Sequence, residues 1–241
     1  MGEIRVGCSG WMYDSWRGVL YPAGVPKRRW LATYAETFDT VEVNSTFYRL
    51  ASPTAVEGWL ADTPPDFTFT LKASRYLTHM RRLTDLGQGV DRFCAAVAPI
   101  AAGPKLGPVL WQLPPNFRRD DERLAAALRA LPAGRHAFEF RHATWFVPEV
   151  MALLREHGVA LCIGDDPSRP FQPLAELTAD FTLVRLHRGV RGRRGNYSAT
   201  EIAEWAGRLR ALAARADVFA YFNNDWEGFA VRNAIALRNR L

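Results

Sequence analysis

The sequence predicts an α/β fold: a single (β/α)8 barrel of the TIM type, one domain over residues 1–241, with a parallel eight-stranded sheet wrapped by outer helices. Three observations carry that expectation. A short β-like run followed by a helical pattern recurs eight times with no low-complexity linker between repeats. Such alternation demands a parallel sheet, and eight units within 241 residues suit a closed barrel better than an open doubly wound sheet. Within the strands, apolar and polar side chains separate by parity, as they do when one face meets helices and the other meets a barrel axis.

The elements follow in order. "IRVGCSG" from residue 4 is the first strand, and Pro26 stands where a first helical position belongs. "TVEVNST" from 40 is the second strand, and Pro53 opens the next helix in the same way. The third, fourth and fifth strands are "TFTLKAS" from 68, "GPVLWQL" from 107 and "RHAFEF" from 135. Gly158 closes a helix containing Val150, Leu153 and Leu154, ahead of a sixth strand, "VALCIG" from 159. The faintest helical pattern spans Phe171 to Ala179 and precedes "FTLVRLH" from 181. Ser198 and Glu201 then form a capping box before Ile202, Trp205, Leu209, Leu212 and Ala216, which share one helical face, and "DVFAYFNN" from 217 is the eighth strand.

Parity also points to function. Val41 and Val43 face the helices, which leaves Glu42, Asn44 and Thr46 facing inward; Phe67, Phe69 and Leu71 face out, which leaves Thr70, Lys72 and Ser74. By the same reading Gln112, Glu139, Arg141, Arg185, His187 and Asn223 point at the axis from four further strands. All sit in the C-terminal halves of their strands, where barrels build their sites. A purely structural explanation exists, an ion-pair network in which Glu42 and Glu139 neutralise Lys72 and Arg185. Barrel interiors are ordinarily filled with branched apolar residues, so a polar funnel favours a site.

Two carboxylates beside cations suit acid–base chemistry on an anionic substrate. The catalytic candidates are Glu42, Glu139, Lys72 and His187. Arg185 and Arg141, with Lys72, would grip a phosphate or carboxylate, while Asn44, Gln112 and Asn223 would orient neutral groups. Tyr48 and Trp11 are candidate walls for a planar ligand, against the commoner reading of aromatics as core filling. Cys8 shares the parity of Ile4 and Val6 and reads as packing, and "GCSGW" around Ser9 lacks the context of a nucleophile elbow.

A divalent metal is the rival reading, held by a selection of Glu42, His79, Glu139, His142, Asp165 and His187. Lys72 and Arg185 in the same small space oppose it electrostatically, so no cofactor is expected. The loop "RLHRGVRGRRGNYS" packs five arginines before a helix N-terminus, a common place for phosphate in barrels, set against the plain alternative of a solvated basic loop. Residues 185–194 and a net charge of +6 make nucleic acid a candidate partner. The three cysteines form no C-x-x-C pair, and no apolar stretch is long enough to span a bilayer, so the expectation is a cytoplasmic protein without a membrane partner.

"VGCSGWMYDSWRG", "FDTVEVNSTFYRL", "FTFTLKASRYLTH", "VLWQLPPNF", "FEFRHATWF", "RLHRG" and "FAYFNNDWEGFAVRNA" resemble, in order, the motifs of the YecE-like proteins, the family called domain of unknown function 72. The resemblance covers essentially the whole chain. It implies a TIM-type barrel and no established reaction. Its motif positions fall on Glu42, Asn44, Thr46, Phe47 and Tyr48, on Lys72, Thr78 and His79, on Gln112 and Pro114, on Glu139 and Arg141, on Arg185 and His187, and on Asn223 and Asn224. His79 joins the candidate binding residues on that ground. Arg188 departs from the more usual "RLHG" and adds charge at the mouth. In outline the barrel is similar to the endonuclease-IV-like and xylose-isomerase-like folds, which leaves a nucleic-acid phosphodiesterase and a non-catalytic binding protein as alternatives to an enzyme for a small anion.

Overall fold

The computed structural model describes residues 2–168 and 173–241. Its strands are β1 (Ile4–Cys8), β2 (Thr40–Val43), β3 (Thr68–Lys72), β4 (Leu106–Gln112), β5 (His136–Glu139), β6 (Ala160–Asp165), β7 (Phe181–Leu186) and β8 (Asp217–Phe222). All pair in parallel in the order β1-β8-β7-β6-β5-β4-β3-β2. The ends of that order meet through a parallel bridge between Ser9 and Glu42 and a 2.8 Å hydrogen bond from Gly10 N to Glu42 O. Gly7 permits the approach, because a Cβ there would lie 2.3 Å from Thr40 O. The Tyr34 hydroxyl stitches the seam, donating to Thr40 O at 2.9 Å and accepting from Cys8 N at 2.8 Å.

The α-helices are α1 (Trp30–Ala35), α2 (Ser45–Tyr48), α3 (Pro53–Ala61), α4 (Gly87–Ala101), α5 (Asp121–Arg129), α6 (Pro148–Glu156), α7 (Ala199–Ala213) and α8 (Phe229–Arg238). Ser52 caps α3 ahead of Pro53, and Ser198 with Glu201 forms the expected capping box of α7. Pro26 introduces a 3-10 turn over Lys27–Arg29 that runs into α1, and Gly158, at φ +61°, follows the end of α6. The helix expected over Phe171 to Ala179 differs. Phe171 and Gln172 lie outside the described residues, and residues 173–179 form no helix. Thr178 instead accepts from Leu161 N at 2.8 Å and donates to Val159 O at 2.7 Å, a local alternative to helical bonding. No helix among the described residues is long and apolar enough to cross a membrane.

The apolar residues fall into two clusters, as parity requires. Val41, Val43, Phe69, Leu71, Trp111 and Phe138 belong to an outer core beneath the helices, with Cys8 fully buried among them. Leu110, Ala137, Cys162, Leu183, Phe219 and Tyr221 fill the barrel itself. Burying the outer faces supplies most of the driving force, at about 25 cal/mol per Å2 of apolar surface removed from water. At the axis the Tyr221 hydroxyl meets Thr40 Oγ1 at 2.6 Å and Thr70 Oγ1 at 2.7 Å, so even the inner core carries a satisfied polar group.

Several strands end earlier than the sequence suggests, and one expectation changes with them. Asn44, at φ −78° and ψ −21°, already belongs to the helical turn of α2, so the inward parity stops at Glu42. Thr46 is therefore not aimed at the axis. Its hydroxyl donates to Val43 O at 2.9 Å and to Lys72 O at 2.7 Å and fastens the ends of β2 and β3 together. Ser74 likewise leaves the axis, accepting from Tyr76 N at 3.3 Å in the turn after β3.

Candidate functional site

At the C-terminal end of the barrel, Arg185 of β7 reaches the axis with 1% of its surface exposed. It grips Glu42 of β2 in a fork, Nε to Oε2 and Nη2 to Oε1, both at 2.8 Å, and its Nη1 donates to Glu139 Oε2 of β5 at 2.6 Å. Arg141 completes Glu139 from above, Nε to Oε1 at 2.9 Å. Ser9 Oγ donates to Glu42 Oε1, and Asn44 Nδ2 donates to Ser9 Oγ at 2.5 Å. Burial alone would raise both carboxyl pKa values, yet Arg185 overcomes it for Glu42, and Arg185 with Arg141 does so for Glu139, so both acids are held below the usual carboxylate range. His187 Nε2 stands 3.7 Å from Glu139 Oε1, at the edge of the same network.

Above this layer opens a cavity of about 420 Å3, lined by Ser9, Tyr13, Asn44, Phe47, Tyr48, Lys72, His79, Gln112, Arg141, Arg185 and Asn223. Lys72 ends β3 with 8% exposure, its ammonium 4.4 Å from the centroid of the Phe47 ring, and it makes no ion pair with any described residue. Burial, with Arg185 next, lowers its pKa to about 8 even though Glu42 and Glu139 pull the other way. His79 packs edge-on against the same ring, 5.0 Å between centroids, and burial with the Lys72 and Arg141 charges lowers its pKa to about 4. His79 is thus neutral at physiological pH. Gln112, 4% exposed, makes no side-chain hydrogen bond to a described residue and lines the cavity.

The structure gathers Asn44, Lys72, His79, Gln112, Arg141, Arg185, Asn223 and Tyr48 around this one cavity, with Glu42, Glu139 and His187 in the layer beneath. Trp11 does not line it. Its ring packs edge-on against Trp59, 5.9 Å between centroids, beside a separate surface depression. Asp165 is also placed elsewhere, accepting from Tyr197 Oη and Trp205 Nε1, each at 2.9 Å, and so anchors α7 to the barrel. His142 caps the turn Ala143–Trp145 through Thr144. Among the described residues no three of His, Cys, Asp and Glu come together in a way that could hold a metal ion.

The arginine-rich loop is organised by a carboxylate of the chain itself. Glu201 accepts from Val190 N at 2.7 Å, Arg191 N at 3.1 Å and Ser198 N at 2.8 Å. Gly189 and Gly192 allow this folding, because a Cβ on either would meet Asn196 O at 2.2 Å or 2.0 Å. Arg191 pairs with Glu204, and Arg194 pairs with Glu227 at 3.3 Å.

Sequence reasoning passed over Tyr13 and Tyr221, weighed Ser9 only as a nucleophile, and reached Phe47 only as a motif position of the family resemblance. Parity places Ser9 inward at the end of β1 and Tyr221 inward before Asn223, so that signal was sufficient for both. Tyr13, which donates to Ser9 O at 2.6 Å, follows a turn at Gly10 with φ +92°, and no periodicity reports where such a turn aims.

The family described as "Protein of unknown function DUF72" matches residues 5–241. The chain is 27% identical over 268 residues to the UPF0759 protein YunF of Bacillus subtilis, covering 95% of this chain and 92% of that protein. It is 30% identical over 185 residues to the UPF0759 protein YecE of Escherichia coli, which covers 73% of this chain and 65% of that one. Among solved structures, a DUF72 family protein from Thermotoga maritima superposes with a TM-score of 0.88 at 28% identity, covering 98% of both chains. An AP endonuclease of family 2 from Brucella melitensis shares the fold alone, at a TM-score of 0.51 and 11% identity over 95% of this chain and 96% of that one.

Proposed function

The chain belongs to the DUF72 family, and from that premise we propose that the barrel mouth binds a small molecule through its phosphate or carboxylate and catalyses acid–base chemistry on it. The observation that carries this reading is Lys72, a cation 8% exposed, lining a cavity of about 420 Å3, with no carboxylate partner among the described residues. Buried charges are ordinarily paired. Among the described residues Lys72, Arg141 and Arg185 face the carboxylates of Glu42 and Glu139, three positive charges against two negative ones, and an anion restores that balance.

Lys72 and Arg141 hold the anion in this reading, Arg141 through the guanidinium edge left over from Glu139. Gln112, Asn44 and Asn223 orient neutral groups. Glu42 and Glu139 keep the ionised form under Arg185 and serve as the fixed support of the site. Lys72, whose pKa is about 8 in the ligand-free fold, also supplies the proton, acting as general acid from the ammonium form that holds the anion. Neutral His79, and His187 beside Glu139, are the groups available to pass that proton on.

Titration of inorganic phosphate into the protein and its Lys72→Met variant at neutral pH tests the reading. Measurable binding with at least tenfold weakening in the variant supports it, and equal binding removes it. A metabolite-class screen with mass detection then separates the enzyme from a binding protein, whose ligand would return unchanged. A nucleic-acid phosphodiester is the competing ligand, and the exposed arginines of residues 188–194 are its support.

A further inference from the structure

Next to the mouth, and sharing Tyr48 with it, lies a second cleft of about 620 Å3. Two aromatic rings border it with unusual exposure, Tyr48 at 71% and Tyr76 at 47%. Arg49 and Arg92 also line it, and neither makes an ion pair with a described residue. Its volume is that of a site for a drug-sized ligand.

The chain is deformed to build this wall. Tyr76–Met80 forms one π-helical turn, a form rare in helices and often found at functional sites. That turn sends His79 into the mouth and Tyr76 into the cleft. Just after it, Arg82, Leu83 and Asp85 have φ of 47°, 67° and 47°, a left-handed conformation that side chains with a Cβ adopt reluctantly. Burial of Leu83 and Leu86 and the ion pair of Arg81 with Asp85 hold the strained loop in place.

We infer that the cleft is the second half of the same binding site, and that the ligand is of the nucleotide class, a phosphate held in the mouth and a planar base stacked on Tyr48 and Tyr76. The inference rests on the anion reading of the mouth. Tyrosine faces stack on any flat ring without demanding particular hydrogen bonds. Arg49 and Arg92 add charge for further phosphates or stack on the base edge. A ligand spanning both cavities explains why one exposed tyrosine borders both.

The test compares AMP with ribose 5-phosphate, which carries the same anion without the base, by calorimetry on the full chain. AMP binding about tenfold or more tightly, with the preference lost in Tyr76→Ala, supports the inference. Equal affinities, or a preference that survives Tyr76→Ala, overturn it while leaving the mouth as an anion site. A short oligonucleotide that binds more tightly than AMP with steep salt dependence overturns it in favour of a strand. Failure of both phosphates to bind the unmodified protein overturns the mouth reading itself. Circular dichroism of the variant, together with retained ribose 5-phosphate binding, separates loss of stacking from loss of fold.

Discussion

The Arg185 guanidinium and the Glu42 carboxylate face each other across the barrel axis as a two-bond fork, 2.8 Å on each side, with 1% and 0% of their surfaces exposed. Such a pair is a poor source of net stability and a severe liability once broken, because the survivor stays buried and charged. Glu139 shares the same guanidinium at 2.6 Å, so one residue holds two acids.

Arg185→Leu should therefore cost about 3–5 kcal/mol or more in a urea unfolding experiment. Replacing all three charges together, as Glu42→Gln, Glu139→Gln and Arg185→Met, should be much milder than the single change. A single substitution costing under about 1 kcal/mol would show that the buried network is not as described.

Acid should act through the same residues. Glu42 and Glu139 have folded pKa values below 4.5, so the unfolded chain binds their protons first as pH falls. Their contribution is complete above 4.5 and declines as pH drops through the folded values. Urea midpoints recorded across the acid range should show that slope, and the triple variant should flatten it.

Lys72 has the opposite effect. Its folded pKa of about 8 lies below the ordinary 10.5, which means the charged form is disfavoured by about 3 kcal/mol in the ligand-free fold. Between those values the unfolded chain binds more protons, so stability should rise with pH over the window from 8 to 10.5. Lys72→Met should abolish that rise and lift the melting temperature by several degrees at neutral pH, while weakening anion binding. Anion affinity of the unmodified protein should fall as pH passes about 8, as the ammonium is lost. A variant that melts lower and binds phosphate as before would contradict the assignment.

The arginine loop should matter little to the mouth. Arg191 and Arg194 pair with Glu204 and Glu227 on the surface, and such pairs are worth about 0–1 kcal/mol. Their alanine variants should leave phosphate affinity within about twofold, since neither side chain reaches the cavity. Strong loss of binding in these variants would move the anion site to the loop.

Glu201 should be structural in a measurable way. Its carboxylate satisfies three backbone amides and the Ser198 hydroxyl at once. Glu201→Ala should cost about 2 kcal/mol and speed hydrogen exchange at Val190 and Arg191, with Glu201→Gln in between.

The barrel was legible because alternation is a period-two signal: Val41 and Val43 against Glu42, or Phe138 and Phe140 against Glu139, can be sorted without knowing any contact. The same signal fails once the backbone leaves the strand. Asn44 turns helical, so Thr46 fastens two strand ends instead of facing the axis. Trp11 follows β1 by only three residues, yet the turn at Gly10 carries it to Trp59 on the outside. Nor does parity say which of several inward charges pair. That Arg185 takes both acids and leaves Lys72 without one among the described residues depends on side-chain reach across the axis, which is a three-dimensional fact.

The most direct test is a selenate soak of crystals of the protein, because selenate is a tetrahedral dianion that can be located by its anomalous signal. A peak is expected within hydrogen-bonding distance of Lys72 Nζ and the Arg141 guanidinium, absent from crystals of Lys72→Met. A mouth without selenate in crystals of the unmodified protein, with the anion bound at residues 188–194 instead, would contradict the anion reading of the mouth.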